Sequence, residues 1–310
     1  MTAKINQSFK QSRNLTLGAV ALAVGAMVMP STSSAAVVVS ESFEYTAGAY
    51  AGQAGGTGWN GGWRSTLTGT VTAAGTIGAS SLPTPAGYGE AEDNVPSGGS
   101  FVGPTGGTAA YRTFAQSGVI DLSIDKDYYI SFLTRRSGTA RSFSMNLYSG
   151  SSATPVVGWG HATGGSLFSA QNGTTYNSSG AVIGNGATPA ASPTYLWVVK
   201  IAAKSGTGID QVSIEAYRGV FSPQTVGYEE PESWDYVGTN AMPNNVSTID
   251  KMAVFMSSGG VLEVDEIRIG DTFADVTMVV DPTAVPEPAT MAFAALAGGA
   301  ALMRRARRQA

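Results

Sequence analysis

The chain has no cysteine, a single histidine (His161) and charge on only 13% of its 310 residues. Without cysteine there is no disulfide framework, no thiolate zinc or iron–sulfur site and no thiol nucleophile. One histidine cannot build a site that needs two. Charge runs at about half its usual share. Sustained apolar spacing of three and four is missing between Val37 and Asp281, so helix content should be low there. Glycine is plentiful instead: its 40 residues are roughly twice the ordinary proportion.

Positive charge is scarce where it matters. Between Val37 and Val285 there are 11 basic residues against 21 acidic ones, a balance of −10. Such a surface repels phosphate backbones, which argues against nucleic acid as a partner.

The missing basic residues are at the two ends. Lys4, Lys10 and Arg13 precede an apolar run from Leu15 to Met29, then Pro30 and a polar Ser/Ala stretch. This is the three-part order of a secretory signal peptide. Ser34 and Ala36 suit the small-residue positions of a signal peptidase site, which places cleavage after Ala36. The other end reads Val285-Pro286-Glu287-Pro288-Ala289, an apolar run from Met291 to Met303, then Arg304, Arg305, Arg307 and Arg308. The two prolines favour an extended, stiff segment. Thirteen residues rise only about 20 Å as a helix, short of the roughly 30 Å hydrocarbon core, so the anchor is marginal. The arginines behind it set a cytoplasmic C-terminus.

This tail resembles the PEP-CTERM sorting signal of Gram-negative bacteria, in which motif, hydrophobic helix and Arg-rich end follow in that order. The resemblance implies an inner-membrane intermediate, cut near the motif by an exosortase and delivered to the cell surface or the extracellular matrix. It also associates the chain with exopolysaccharide.

Between the addresses, β-branched and aromatic runs alternate with Gly, Ser, Pro and Asn clusters. The clearest are Tyr128–Thr134, Phe143–Tyr148, Tyr195–Ile201, Val212–Tyr217, Ile249–Met256 and Val261–Ile269. Period two over five or six residues predicts strands with one buried face. The expectation is an all-β antiparallel sandwich over residues 37–281, with a signal peptide at 1–36 and a sorting tail at 282–310.

Glu41-Ser42-Phe43-Glu44-Tyr45, with Gly55-Gly56-Thr57-Gly58-Trp59-Asn60-Gly61-Gly62-Trp63 after it, resembles the opening of LamG-like, concanavalin-type jelly-roll domains of exported bacterial proteins. Asp265 to Gly270, running on to Phe273-Ala274-Asp275-Val276-Thr277, is similar to their closing strand. The resemblance implies two antiparallel sheets and a fold that often binds glycans or proteins.

Gly56 to Gly61 also satisfies GxGxxG, but no helix follows to present amides to a pyrophosphate. It reads as a structural loop packed by Trp59 and Trp63. Glu263, Asp265 and Ile267 are spaced by two and are expected on one face of a strand. Laminarinase-like hydrolases on this fold carry three acids at such places. Here Ile267 stands where the third is needed, or Arg268 if the strand bulges, so the carboxylate pair of a retaining hydrolase is incomplete.

No Gly-x-Ser-x-Gly elbow exists, and nothing selects a triad around His161, so no catalytic residue is assigned. Trp197 alternates with Tyr195, Val199 and Ile201 and is expected in the core. Trp159 and Trp234 are expected in polar loops, the latter within Glu229-Glu230-Pro231-Glu232-Ser233-Trp234-Asp235-Tyr236. An aromatic ring for sugar C–H faces, with carboxylates for hydroxyls, makes Trp159, Trp234, Glu263 and Asp265 the candidate ligand-binding residues. Asp121, Asp125 and Asp127 lack the turn glycine and distal glutamate of a calcium loop. Calcium assembled from separate loops is the one cofactor left open. The expected function is a non-catalytic exported surface or matrix protein, a glycan-binding or structural module; the alternative on the same fold is a carbohydrate-active enzyme, a glycoside hydrolase or lyase.

Overall fold

The computed structural model describes residues 38–65, 76–77, 82–85, 88, 99–102, 108–115, 120–138, 142–162, 166–171, 174–182, 194–206, 210–218, 225–238, 248–256 and 260–279. Ala36, the Val285–Ala289 motif, both apolar end segments and the terminal arginines lie outside them.

The chain forms the all-β antiparallel jelly-roll sandwich that its alternation requires. One sheet has nine strands in the order β15 (Tyr236–Val237), β14 (Gln211–Arg218), β13 (Thr194–Ala203), β8 (Lys126–Gly138), β18 (Gly260–Gly270), β5 (Phe101–Val102), β4 (Thr76–Ile77) and β2 (Gly48–Ala49), with β1 (Val39–Glu41) also on β18. The other has seven: β12 (Thr174–Val182), β11 (Ser166–Gln171), β10 (Val157–His161), β9 (Phe143–Tyr148), β17 (Lys251–Met256), β6 (Thr108–Phe114) and β3 (Trp59–Arg64). A small pair joins β7 (Ile120–Asp121) to β16 (Thr248–Ile249).

The main core lies between the two large sheets. It takes Phe143, Met145 and Leu147 from β9 and Trp197, Val199 and Ile201 from β13. Trp197 is fully buried, stacks on Phe132 at 5.8 Å and donates through Nε1 to Thr134 Oγ1 at 2.9 Å, as a buried indole requires. His161 is buried in β10 and stacks on Trp197 at 6.0 Å.

β13 is apolar on its other face too. Leu196 and Val198 join Tyr129, Leu133 and Tyr217 in a second cluster, covered by Leu82, Tyr88, Val226 and the helix α1 (Phe273–Thr277). The sequence similarity treated 273–277 as a continuation of the closing strand. The chain instead leaves the strand at Gly270 and makes one helical turn, because Thr272 and Asp275 form a capping box.

The opening motif is a structural knot. Glu41 accepts from Phe43 N–H at 2.8 Å, Tyr45 O–H at 2.6 Å and Trp63 Nε1 at 3.3 Å, and pairs with the Arg112 guanidinium. Arg112 also donates to Gly61 O at 3.2 Å and Gly55 O at 2.6 Å, and lies 4.7 Å from the Trp59 ring centroid. Phe43 turns through φ 53° to let its N–H reach back. Gly56 and Gly58 have positive φ, and a Cβ there would sit 2.1 Å from Ser40 O and 2.2 Å from Val38 O. The GxG spacing thus serves close backbone approach, not phosphate binding.

Candidate functional site

Strand β14 alternates Val212 and Ile214 into the main core with Ser213, Glu215 and Tyr217 on the outer face. Its neighbour β15 pairs only at Ser213↔Val237 and Ile214↔Tyr236. Beyond that point the β14 edge needs other partners, and the preceding loop supplies them with side chains. Asp235 Oδ2 accepts from Ala216 N–H at 3.1 Å, and Glu215 Oε2 accepts from Asp235 N–H at 2.9 Å. Two carboxylates are thereby fixed beside one another, each held through one oxygen by a backbone amide.

Their environments differ. Asp235 is exposed, whereas Glu215 is only 9% exposed and lies opposite Val198 of β13. Burial pushes the Glu215 carboxyl up to about 7, against the amide that it accepts and with the charge of Asp235 adding to the rise. Burial likewise raises the Tyr217 phenol, helped by both carboxylates.

Trp234 is half-buried and packs against the outer cluster. Tyr228 stands 37% exposed nearby in the chain. Lys200 reaches Glu230 at 3.1 Å and Asp127 at 2.8 Å, and Tyr129 O–H donates to Glu230. At the far end of the loop the Tyr236 hydroxyl meets Ser169 Oγ of β11, in the other sheet, at 2.7 Å. The loop is therefore anchored on both sheets, and it carries a half-buried indole next in sequence to Asp235, whose amide holds the Glu215 carboxylate. That set can stack a sugar ring and accept its hydroxyl hydrogens.

Of the four residues singled out in the sequence, only Trp234 has this setting. Trp159 is not in a polar loop: it lies in β10, fully buried in the main core, with Met145 and Ser169 as its cross-strand neighbours. Glu263 pairs with Arg135 on β8. Asp265 is fully buried and accepts from Leu82 N–H at 2.8 Å and Glu266 N–H at 2.9 Å, which ties the covering segment to β18.

The expected common face of Glu263, Asp265 and Ile267 is broken. A bulge between Asp265 and Arg268, with Glu266 at φ 49°, turns Ile267 into the core and leaves Arg268 opposite Ser131. The three aspartates near β8 also diverge: Asp121 accepts from Ser123, Asp125 from Ser205 N–H, and Asp127 pairs with Lys200. Among the described residues no group of three or more His, Cys, Asp or Glu is arranged to hold a metal ion. Sequence reasoning missed Glu215, whose alternation with Ile214 reads as an ordinary solvent position. Its one signal was an acid on a strand followed by a loop with four more.

No family model matches the chain, and no curated protein matches it. Solved structures with a similar arrangement include the globular domain of T. cruzi calreticulin, at 11% identity and TM-score 0.41, covering 70% of this chain and 87% of that one. The carbohydrate recognition domain of Emp46p in its potassium-bound form is 9% identical with TM-score 0.32, over 57% of this chain and 85% of that one. Lectin UEA-II complexed with galactose gives 9% and 0.32, over 57% and 89%.

Proposed function

We propose that the chain is an exported, non-catalytic glycan-binding module, and that its binding surface is the loop of residues 225–238 on the outer edge of the nine-stranded sheet. The observation that carries this reading is the half-buried Trp234 next in sequence to Asp235, in a loop where the Asp235 and Glu215 carboxylates are each fixed by a backbone amide. Such groups bind sugars without reorganising, which favours affinity. In this reading signal peptidase and an exosortase remove the two ends, the inner membrane holds the intermediate, and exopolysaccharide at the surface of a Gram-negative cell is the target.

Native gels cast with soluble polysaccharides should retard the protein, and Trp234→Ala should abolish the retardation while circular dichroism stays unchanged. Equal retardation of the variant overturns the reading. A secreted product that retains Arg308 in mass spectrometry overturns the sorting. The Glu215–Asp235 pair also favours a second reading, hydrolysis, since one acid is protonated near neutrality while the other is exposed. Release of reducing ends that Glu215→Gln abolishes would establish it.

A further inference from the structure

The strand orders of the two large sheets end at four edges, and three of them are guarded. β15 is two residues long and follows a loop with four acids, Glu229, Glu230, Glu232 and Asp235. β2 is also two residues long. β3 carries Arg64, and its register on β6 shifts between Asn60 and Arg64, where Gly61 takes φ 81°. Shortness, charge and a bulge are devices that keep an edge from pairing with another chain.

β12 is the exception. It runs nine residues, Thr174–Val182, with no charged residue and no proline. Among the described strands it pairs only with β11. Its one irregularity lies beyond Asn177, so Thr174 to Asn177 stay in register with Gln171 to Phe168. That segment reads Thr-Thr-Tyr-Asn, mostly residues that favour strands. The outward backbone groups of an edge strand take water or another strand as their partner.

Charge is an independent observation, and it names the partner. No Asp, Glu, Lys or Arg occurs between Arg141 and Lys200, a stretch that includes β9, β10, β11 and β12, the four neighbours at this end of the seven-stranded sheet. The 11 basic and 21 acidic residues between Val37 and Val285 all lie elsewhere in the sequence. Two copies of so acidic a chain repel one another. These neutral strands let them meet without setting acid against acid or taking an ion out of water.

We infer that a second copy of this chain pairs with the β12 edge, Thr174–Asn177 against its own equivalent, antiparallel about a twofold axis. Such a contact is isologous, because the strand meets itself. With the other three edges guarded, the assembly closes at two copies and does not grow into a fibre. The pair presents two 225–238 loops to one polymer, which raises avidity without any new contact.

The test is sedimentation velocity on the full chain in mild detergent across the micromolar range. Monomer should convert to dimer as concentration rises, and added salt should tighten the dimer by screening the repulsion between acidic copies. Thr175→Lys, which brings two ammonium groups close to the axis, should weaken the dimer by at least about tenfold, while Ala49→Lys on β2 should leave it unchanged. Hydrogen exchange on the unaltered chain checks the place, and it decides the matter if Thr175→Lys fails to fold. Amides within Thr174–Asn177 should slow as concentration rises, and those of Gly48–Ala49 should not. A monomer at every concentration overturns the inference. So does a dimer that salt loosens, one indifferent to Thr175→Lys, concentration-dependent protection at another strand alone, or growth beyond two copies.

Discussion

Glu41 and Glu215 are both carboxylates taken out of water, one at the end of β1 and one on the outer face of β14. Glu41 meets a guanidinium, a phenol, an indole and a backbone amide, and Arg112 opposite it is as deeply buried. Glu215 meets one amide and a second carboxylate. A fully compensated buried charge organises the fold around itself. A buried acid left without a cation weakens the fold at neutral pH.

The comparison can be broken most forcefully at the knot. Arg112→Met leaves Glu41 charged and unpaired and should cost about 3–5 kcal/mol in urea unfolding. The double variant Glu41→Leu with Arg112→Met should lose less than either single change, since it removes both charges together. A double loss equal to the sum of the singles would show that Glu41 and Arg112 act separately.

At Glu215 the sign reverses. Its carboxyl is raised in the folded chain, from an ordinary 4.5 to about 7. The fold therefore binds this proton more tightly than the unfolded chain does, and stability falls as pH rises from about 4.5 to 7. Glu215→Gln should make the protein more stable than wild type at pH 8, by on the order of 1 kcal/mol after solvent screening. At pH 4 the two should melt together. A variant less stable at pH 8 would mean that the charge is compensated after all.

The smallest effect belongs to Lys200→Met, which removes the cation shared by Glu230 and Asp127. Partly exposed pairs of this kind contribute about 0.2–1 kcal/mol, so thermal melts should barely move. Loss of several degrees would show that the loop depends on Lys200 rather than on its amide contacts with β14.

The alternating apolar runs marked most of the central strands. Phe143–Tyr148 forms β9 with the expected bounds, and Tyr195–Ile201 and Val212–Tyr217 are the cores of β13 and β14. The continuous run Leu196-Trp197-Val198-Val199 also carried a sign of burial on both faces, which the second cluster realises. Glycine hid other strands. Gly158-Trp159-Gly160-His161 reads as a loop, yet it is β10; a Cβ on Gly158 would lie 2.1 Å from Asn146 Oδ1, and one on Gly160 would lie 1.9 Å from Phe143 O. The bulge at Glu266 was likewise silent, because a period-two pattern carries no mark of the residue at which the strand changes phase. The site was half legible: Trp234 and its acids stand in one loop, whereas Glu215 joins them only through the way that loop folds back on β14.

The bridge between Tyr236 and Ser169 has a mechanical side. β15 holds its sheet through only two residue pairs, and an edge that short, pulled outward, would open one hydrogen bond after another like a zip. Tyr236 instead fastens the loop to the opposite sheet, so tension applied at the loop loads both layers at once and works as shear across the sandwich rather than as peeling of its margin.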